Sequence, residues 1–204
     1  MYRFFKNIIN TIIIILAIFG FFSLYKANTF SHIGEKINNA FNPEKIEQEV
    51  GDFSKIDEEF DIKTAVNVMG YKTVVAKHEH SGQKMIIVDS GKKTLLTEKD
   101  IKSEAVKDKL EDLCKKLKYN STKVENIEIV DKGYMTTYGQ RVPYVKFNAK
   151  ISKLPISNVS GIISVVDSDK TNQRLIISIN DKKHYSQLIT SEFYKNVKDS
   201  KHNK

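Results

Sequence analysis

From Ile8 to Tyr25 the chain is apolar at every position except Asn10, Thr11 and Ser23. As a helix this run spans about 27 Å, near the lower limit for crossing a hydrocarbon core of roughly 30 Å. Arg3 and Lys6 precede it without an acidic residue, and Tyr2, Phe4, Phe5 and Tyr25 suit the membrane interfaces. A core helix that is apolar on all sides would need protein all round it. A cleavable signal peptide shares the basic start and the apolar run. In "LYKANT", however, Tyr25 stands where the first small residue of a cleavage site belongs, and no cysteine follows for lipoprotein processing. The expectation is an uncleaved signal anchor over residues 8–25 with a cytoplasmic tail over 1–7. The rest of the chain then lies outside the cytoplasm, at a bacterial cytoplasmic membrane.

After the apolar run the pattern changes. Residues 26–52 read as a spacer with a stop at Pro43. In "DFSKIDEEFDIKTAVNVMG", Phe53, Ile56, Phe60, Ile62, Val66 and Met69 fall near helical spacing, with Gly70 as terminator. This predicts the first helix of a domain spanning residues 53–198. "YKTVVAKHEHSGQKMIIVDSG" predicts a β-hairpin around Ser81-Gly82. "TEKDIKSEAVKDKLEDLCKKLKYN" predicts one long helix, capped by Thr97, with Asp100 in its first turn. Val106, Leu110, Leu113, Cys114 and Leu117 form its apolar face. In "VPYVKFNAKI", Val145, Phe147, Ala149 and Ile151 alternate with Lys146, Asn148 and Lys150, the signature of a strand with one wet face. "NIEIVDKGYMTTY" and "RVPYVKF" flank a turn at Gly139-Gln140, and "GIISVVDSDKTNQRLIISIND" holds two more strands. Tyr185, Leu188, Ile189, Phe193 and Val197 repeat at helical spacing, and residues 199–204 form a polar tail. The predicted order is α–β–β–α, about four strands, then α. Strands joined by short turns imply an α+β domain with a mainly antiparallel sheet and helices packed on it.

"YGQRVPYVKFNAKI", "GIISVVDSDKTNQRLIISIND" and "YSQLITSEFYKNVK" carry a likeness. Over residues 71–197 the chain resembles the PsbP-like superfamily. There a strand hairpin and a helix precede an antiparallel meander, and a C-terminal helix closes an α/β/α sandwich. Its members include lumenal photosystem subunits, a nuclear Ran-binding factor and bacterial extracytoplasmic proteins. The resemblance implies a binding or assembly domain without catalysis. No functional motif of the family transfers to a position here, and a retained anchor departs from its soluble lumenal members.

Composition narrows the remaining choices. A content of 40% hydrophobic residues excludes a disordered chain, and the lone Cys114 excludes an internal disulfide and a cysteine-rich metal site. On the apolar stripe of its helix, Cys114 reads as a small core residue rather than a nucleophile. Charge is segregated: residues 26–62 hold four lysines against nine acidic residues, whereas 63–204 hold 27 Lys and Arg against 16 Asp and Glu. Of those basic residues only Arg141 and Arg174 are arginine, and the lysines form no block, which argues against nucleic acid. Weak attraction to anionic lipid or envelope polymers fits better. His78 and His80 in "KHEHSG" would point the same way on a strand and are the weak candidates for a binding or metal site. Exposed hairpin-tip side chains are the plainer reading. Asp167, Asp169 and Thr171 alternate as in a calcium loop, but its glycine and distal glutamate are absent, and a polar turn explains them. Glu58-Glu59 reads as part of a solvated helix face. There is no Gly-x-Ser-x-Gly, P-loop or dinucleotide fingerprint.

The expectation is therefore a non-catalytic extracytoplasmic binding or assembly module with an envelope protein as partner and no cofactor. The alternatives are an envelope enzyme, metal-assisted through His78 and His80, and a soluble domain secreted by cleavage.

Overall fold

The structure is a computed structural model that describes residues 42–68, 71–91, 94–115, 124–152, 158–168 and 172–200. The apolar run 8–25 lies outside the described residues. Among those described, no helix is long and apolar enough to cross a membrane.

Seven strands form one antiparallel sheet: β1 (Phe60–Val68), β2 (Tyr71–His78), β3 (Lys84–Asp89), β4 (Val124–Thr137), β5 (Gln140–Ile151), β6 (Asn158–Ser168) and β7 (Asn172–Asp181). Their spatial order is β1-β2-β3-β7-β6-β5-β4. Two meanders, β1 to β3 and β4 to β7, thus meet where β3 pairs with β7. Among the described residues four helices flank the sheet: α1 (Pro43–Val50), α2 (Glu98–Lys102), α3 (Val106–Lys115) and α4 (Gln187–Asn196). The fold is α+β, as the alternation predicts.

The period-two pattern divides the core into two layers. On one face Val75, Ile86, Phe147, Ile163 and Ile177 pack against Leu96, Ile101, Val106 and Leu110 from the α2–α3 segment. On the other, Met85, Ile87, Val142, Ile162 and Ile176 pack against Ile46 and Val50 of α1 and Phe193 and Tyr194 of α4. Phe147 can lie across the sheet only because Gly161 is opposite. A Cβ there would sit 2.5 Å from the Ser178 carbonyl oxygen and 2.9 Å from the Phe147 ring.

Three predicted elements are corrected. The segment predicted as a helix from residue 53 runs through turns to Glu59 and then forms strand β1. Its register shifts between Ile62 and Thr64, so Lys63 is a bulge. The core then receives Phe60, Ile62 and Ala65, a spacing that imitates a helical stripe. The helix sits earlier, and Pro43 starts it instead of stopping anything. Asn42 caps α1, accepting from the Lys45 N–H at 3.1 Å, and proline occupies the first turn, where its missing N–H costs nothing. Because Ile46 and Val50 are buried, the folded body includes residues 43–52 and not only those from 53 onward.

The predicted long helix from Thr97 is two. Thr97 caps α2 as expected, in a reciprocal capping box with Asp100, but Ser103 turns extended (φ −65°, ψ 146°) and its hydroxyl accepts from the Ala105 N–H, ending α2 and opening α3. Cys114 falls in α3, but its side chain lies outside the described ones. Of the predicted stripe at the C-terminal helix, Leu188 is 82% exposed while Phe193 and Val197 are buried, joined by Thr190 and Tyr194. Thr190 can be buried because it bonds to Gln83, Ser178 and Tyr185, a set that hydrophobic spacing does not reveal.

Candidate functional site

The second face ends in a cluster of charge. Arg174, on the strand run "QRLIISI", is fully buried among apolar neighbours. Its Nη1 donates to Asp199 at 2.5 Å, and its Nε lies 3.9 Å from the buried Asp89 carboxylate. The guanidinium stacks 4.2 Å from the centre of the Tyr138 ring. Tyr138 is held in a left-handed conformation (φ 50°) beside Gly139 (φ 72°), so the β4–β5 turn is centred on Tyr138-Gly139, one residue before the predicted Gly139-Gln140. The Tyr138 N–H donates to Val197 O and its hydroxyl to Val50 O at 3.0 Å, tying the turn to α1 and the chain end. Burial pushes this hydroxyl well above its ordinary titration range. Asp199 and the buried Ser200, assigned above to a polar tail, therefore belong to the body.

Over this cluster runs residue 198, paired backbone to backbone with Asp52. Gly51 permits the approach; a Cβ there would come within 3.2 Å of Lys198 O and 3.3 Å of Tyr138. Between α1, β1 and this C-terminal segment opens a groove of about 540 Å³, lined by Glu47, Gln48, Asp52, Phe53, Ile62 and Ser200 among others. Burial, then the neighbouring Glu44, raise the Glu47 carboxyl above its usual range. The buried Ser200 hydroxyl has no hydrogen-bond partner among the described residues, and the same holds for Thr137 Oγ1, Asp89 Oδ2 and Arg174 Nε and Nη2. The groove thus has an acidic and apolar wall, with the polar Gln48, Ser54 and Ser200 also in its lining.

The residues singled out by the sequence lie elsewhere. His78 is buried, not at an exposed tip. Its Nε2 bonds to Glu59 at 2.8 Å, its Nδ1 accepts from the Ser81 N–H at 3.2 Å, and Phe60 packs edge-on against it. His80 is exposed, with its ring centre 5.9 Å from that of His78. A metal shared by the two would have to displace one of the His78 bonds. Among the described residues no group of three or more His, Cys, Asp or Glu is placed to hold a metal. Glu59 lies in the turn before β1, not on a helix face, and anchors that turn to His78. Asp167 accepts from the Gln173 amide at 3.1 Å; Asp169 and Thr171 lie outside the described residues.

Sequence reasoning missed the groove and Arg174. The groove gathers residues 47–62 and 200, so no local motif encodes it. Arg174 had a signal: a single charge inside an apolar strand, sharing a face with Ile176, reads as a buried and paired ion.

Compared with models of protein families and with curated proteins, the chain matches none.

Away from the groove, burial and the cross-strand neighbour Lys77 push the Lys84 ammonium down to about 8. In the unfolded chain a lysine titrates near 10.4, so between about pH 8 and 10 the unfolded state binds more protons and stability rises with pH. Above about pH 10 the slope reverses, because buried tyrosines such as Tyr185, pushed up to about 12, hold their protons only in the folded state. Urea midpoints measured from pH 7 to 11 should climb and then fall. Lys84→Gln should flatten the climb and leave the fall.

Proposed function

We propose that this chain is a single-pass membrane protein whose segment 8–25 holds a non-catalytic binding domain of PsbP-like architecture outside the cytoplasm. The observation that carries the binding role is the groove. It is concave, mixes apolar wall with polar groups, and lies beside α1, the first described element. The order from Tyr71 to Asn196 (hairpin, helical segment, four-stranded meander, closing helix) supports the architecture. Helices on both faces of the sheet support it too. The basic N-terminal tail supports the sidedness.

Two measurements on cells test the reading. Protease added outside spheroplasts should degrade the domain; protection until lysis would reverse the sidedness. A photo-crosslinking residue at the exposed position Ser54, on the rim of the groove, should yield one defined adduct that disappears on Glu47→Lys. A spread of adducts unaffected by Glu47→Lys would remove the groove from the function.

A further inference from the structure

We infer that the groove binds a primary ammonium group on an aliphatic stem, as carried by a lysine side chain of a protein partner or by a small polyamine. This deepens the binding reading and rests on it.

Four observations converge on that chemistry. Glu47 presents a carboxylate that has no hydrogen-bond or ion-pair partner among the described residues. Its raised titration shows a negative charge made costly by burial and by Glu44, the condition that an incoming cation relieves. Second, α1 ends at the groove. The carbonyl end of a helix carries partial negative charge, and α1 has no basic residue in its last turn to offset it. Third, Ser200 lines the same space, and its buried hydroxyl has no hydrogen-bond partner among the described residues, which leaves it lone pairs for an ammonium donor. Fourth, Phe53 and Ile62 supply apolar wall on which methylenes can lie.

The helix itself shows the preferred pairing. Glu49, two residues along α1, already holds the ammonium of Lys72 at 3.0 Å. Glu47 lines the groove, and among the described residues no lysine pairs with it. An anion would meet Glu47, Asp52 and the helix carbonyl end together, and none of the described residues lining the groove is cationic. A neutral apolar ligand would leave Glu47 and Ser200 desolvated and unsatisfied, which disfavours it by the same physics.

The test uses the full-length protein in detergent at low salt, titrated calorimetrically with two probes. One is 1,5-diaminopentane. The other is a capped pentapeptide with a central lysine, controlled by the same peptide carrying norleucine. Saturable binding with one site per chain is expected for at least one ammonium probe and not for the norleucine peptide. Glu47→Gln should weaken it about tenfold, the loss of one charge-assisted contact, and Ser200→Ala several-fold. Tighter binding of the peptide assigns the source to a protein partner; tighter binding of the diamine assigns it to a free polyamine. Equal binding of the norleucine peptide, unchanged affinity in Glu47→Gln with an unchanged melting curve, or no binding of either ammonium probe overturns the inference. None of these results bears on sidedness, which the protease experiment decides separately.

Discussion

Arg174→Met is expected to destabilise the domain by about 3–5 kcal/mol, the usual cost of removing one partner from a buried ion pair. The loss comes less from the contact itself than from what stays behind. Asp89 is 2% exposed; its Oδ1 accepts from the Gly91 N–H at 2.8 Å, and its Oδ2, without a hydrogen-bond partner among the described residues, would lose the guanidinium beside it. Asp199 would lose its anchor, and the Tyr138 ring would lose the cation stacked on it. Since domains of this size are stable by roughly 5–15 kcal/mol, the change should be plain in urea unfolding followed by circular dichroism. The triple change Arg174→Met, Asp89→Asn, Asp199→Asn should recover part of the loss, because no orphaned charge remains. A single-variant cost below about 1 kcal/mol would mean that the cluster is hydrated in solution and that its charges are not uncompensated.

Tyr194→Phe is expected to cost about 1–3 kcal/mol, although it removes a single oxygen atom. That hydroxyl is fully buried. It accepts from the Ile86 N–H at 3.0 Å and donates to the Ile177 carbonyl at 2.6 Å, two residues paired across β3 and β7. This is where the two meanders join, so one side chain of α4 holds the helix to both halves of the sheet. Burial holds the phenol well above its ordinary titration range. Equilibrium unfolding should report the loss, and the Ile86 amide should exchange faster than in the parent protein. Unchanged stability together with unchanged exchange would show that the backbone closes the gap without the hydroxyl.

These two residues mark the limit of a one-dimensional reading. The apolar rhythm of "VPYVKFNAKI" and "RLIISIN" is enough to place strands, since alternation has one physical meaning when one face is wet or the two faces meet different layers. It does not reveal that Arg174 has Asp89 and Asp199 as partners, 85 residues before it and 25 after. Tyr194 likewise falls outside the stripe read at helical spacing, although its hydroxyl connects the two meanders. The misplaced first helix has a local cause. A single bulged residue, Lys63, shifts the alternation of β1 by one and produces a spacing close to that of a helix. Asn42-Pro43 was legible as a helix start, because a side-chain acceptor followed by proline is the chemistry of a cap.

By itself the sequence determines the α+β class, the antiparallel hairpins, the Thr97 cap and the separation of an acidic leading segment from a basic body. Each of these depends on residues that are neighbours along the chain or recur at a fixed period. Only the tertiary structure decides that β3 meets β7, that His78 is buried against Glu59, and that Glu47, Phe53, Ile62 and Ser200 surround one groove. Those contacts join segments that have no local reason to meet. They form because two apolar faces of a sheet can be covered at once only when α1, α4 and the chain end close over one side while α2 and α3 close over the other.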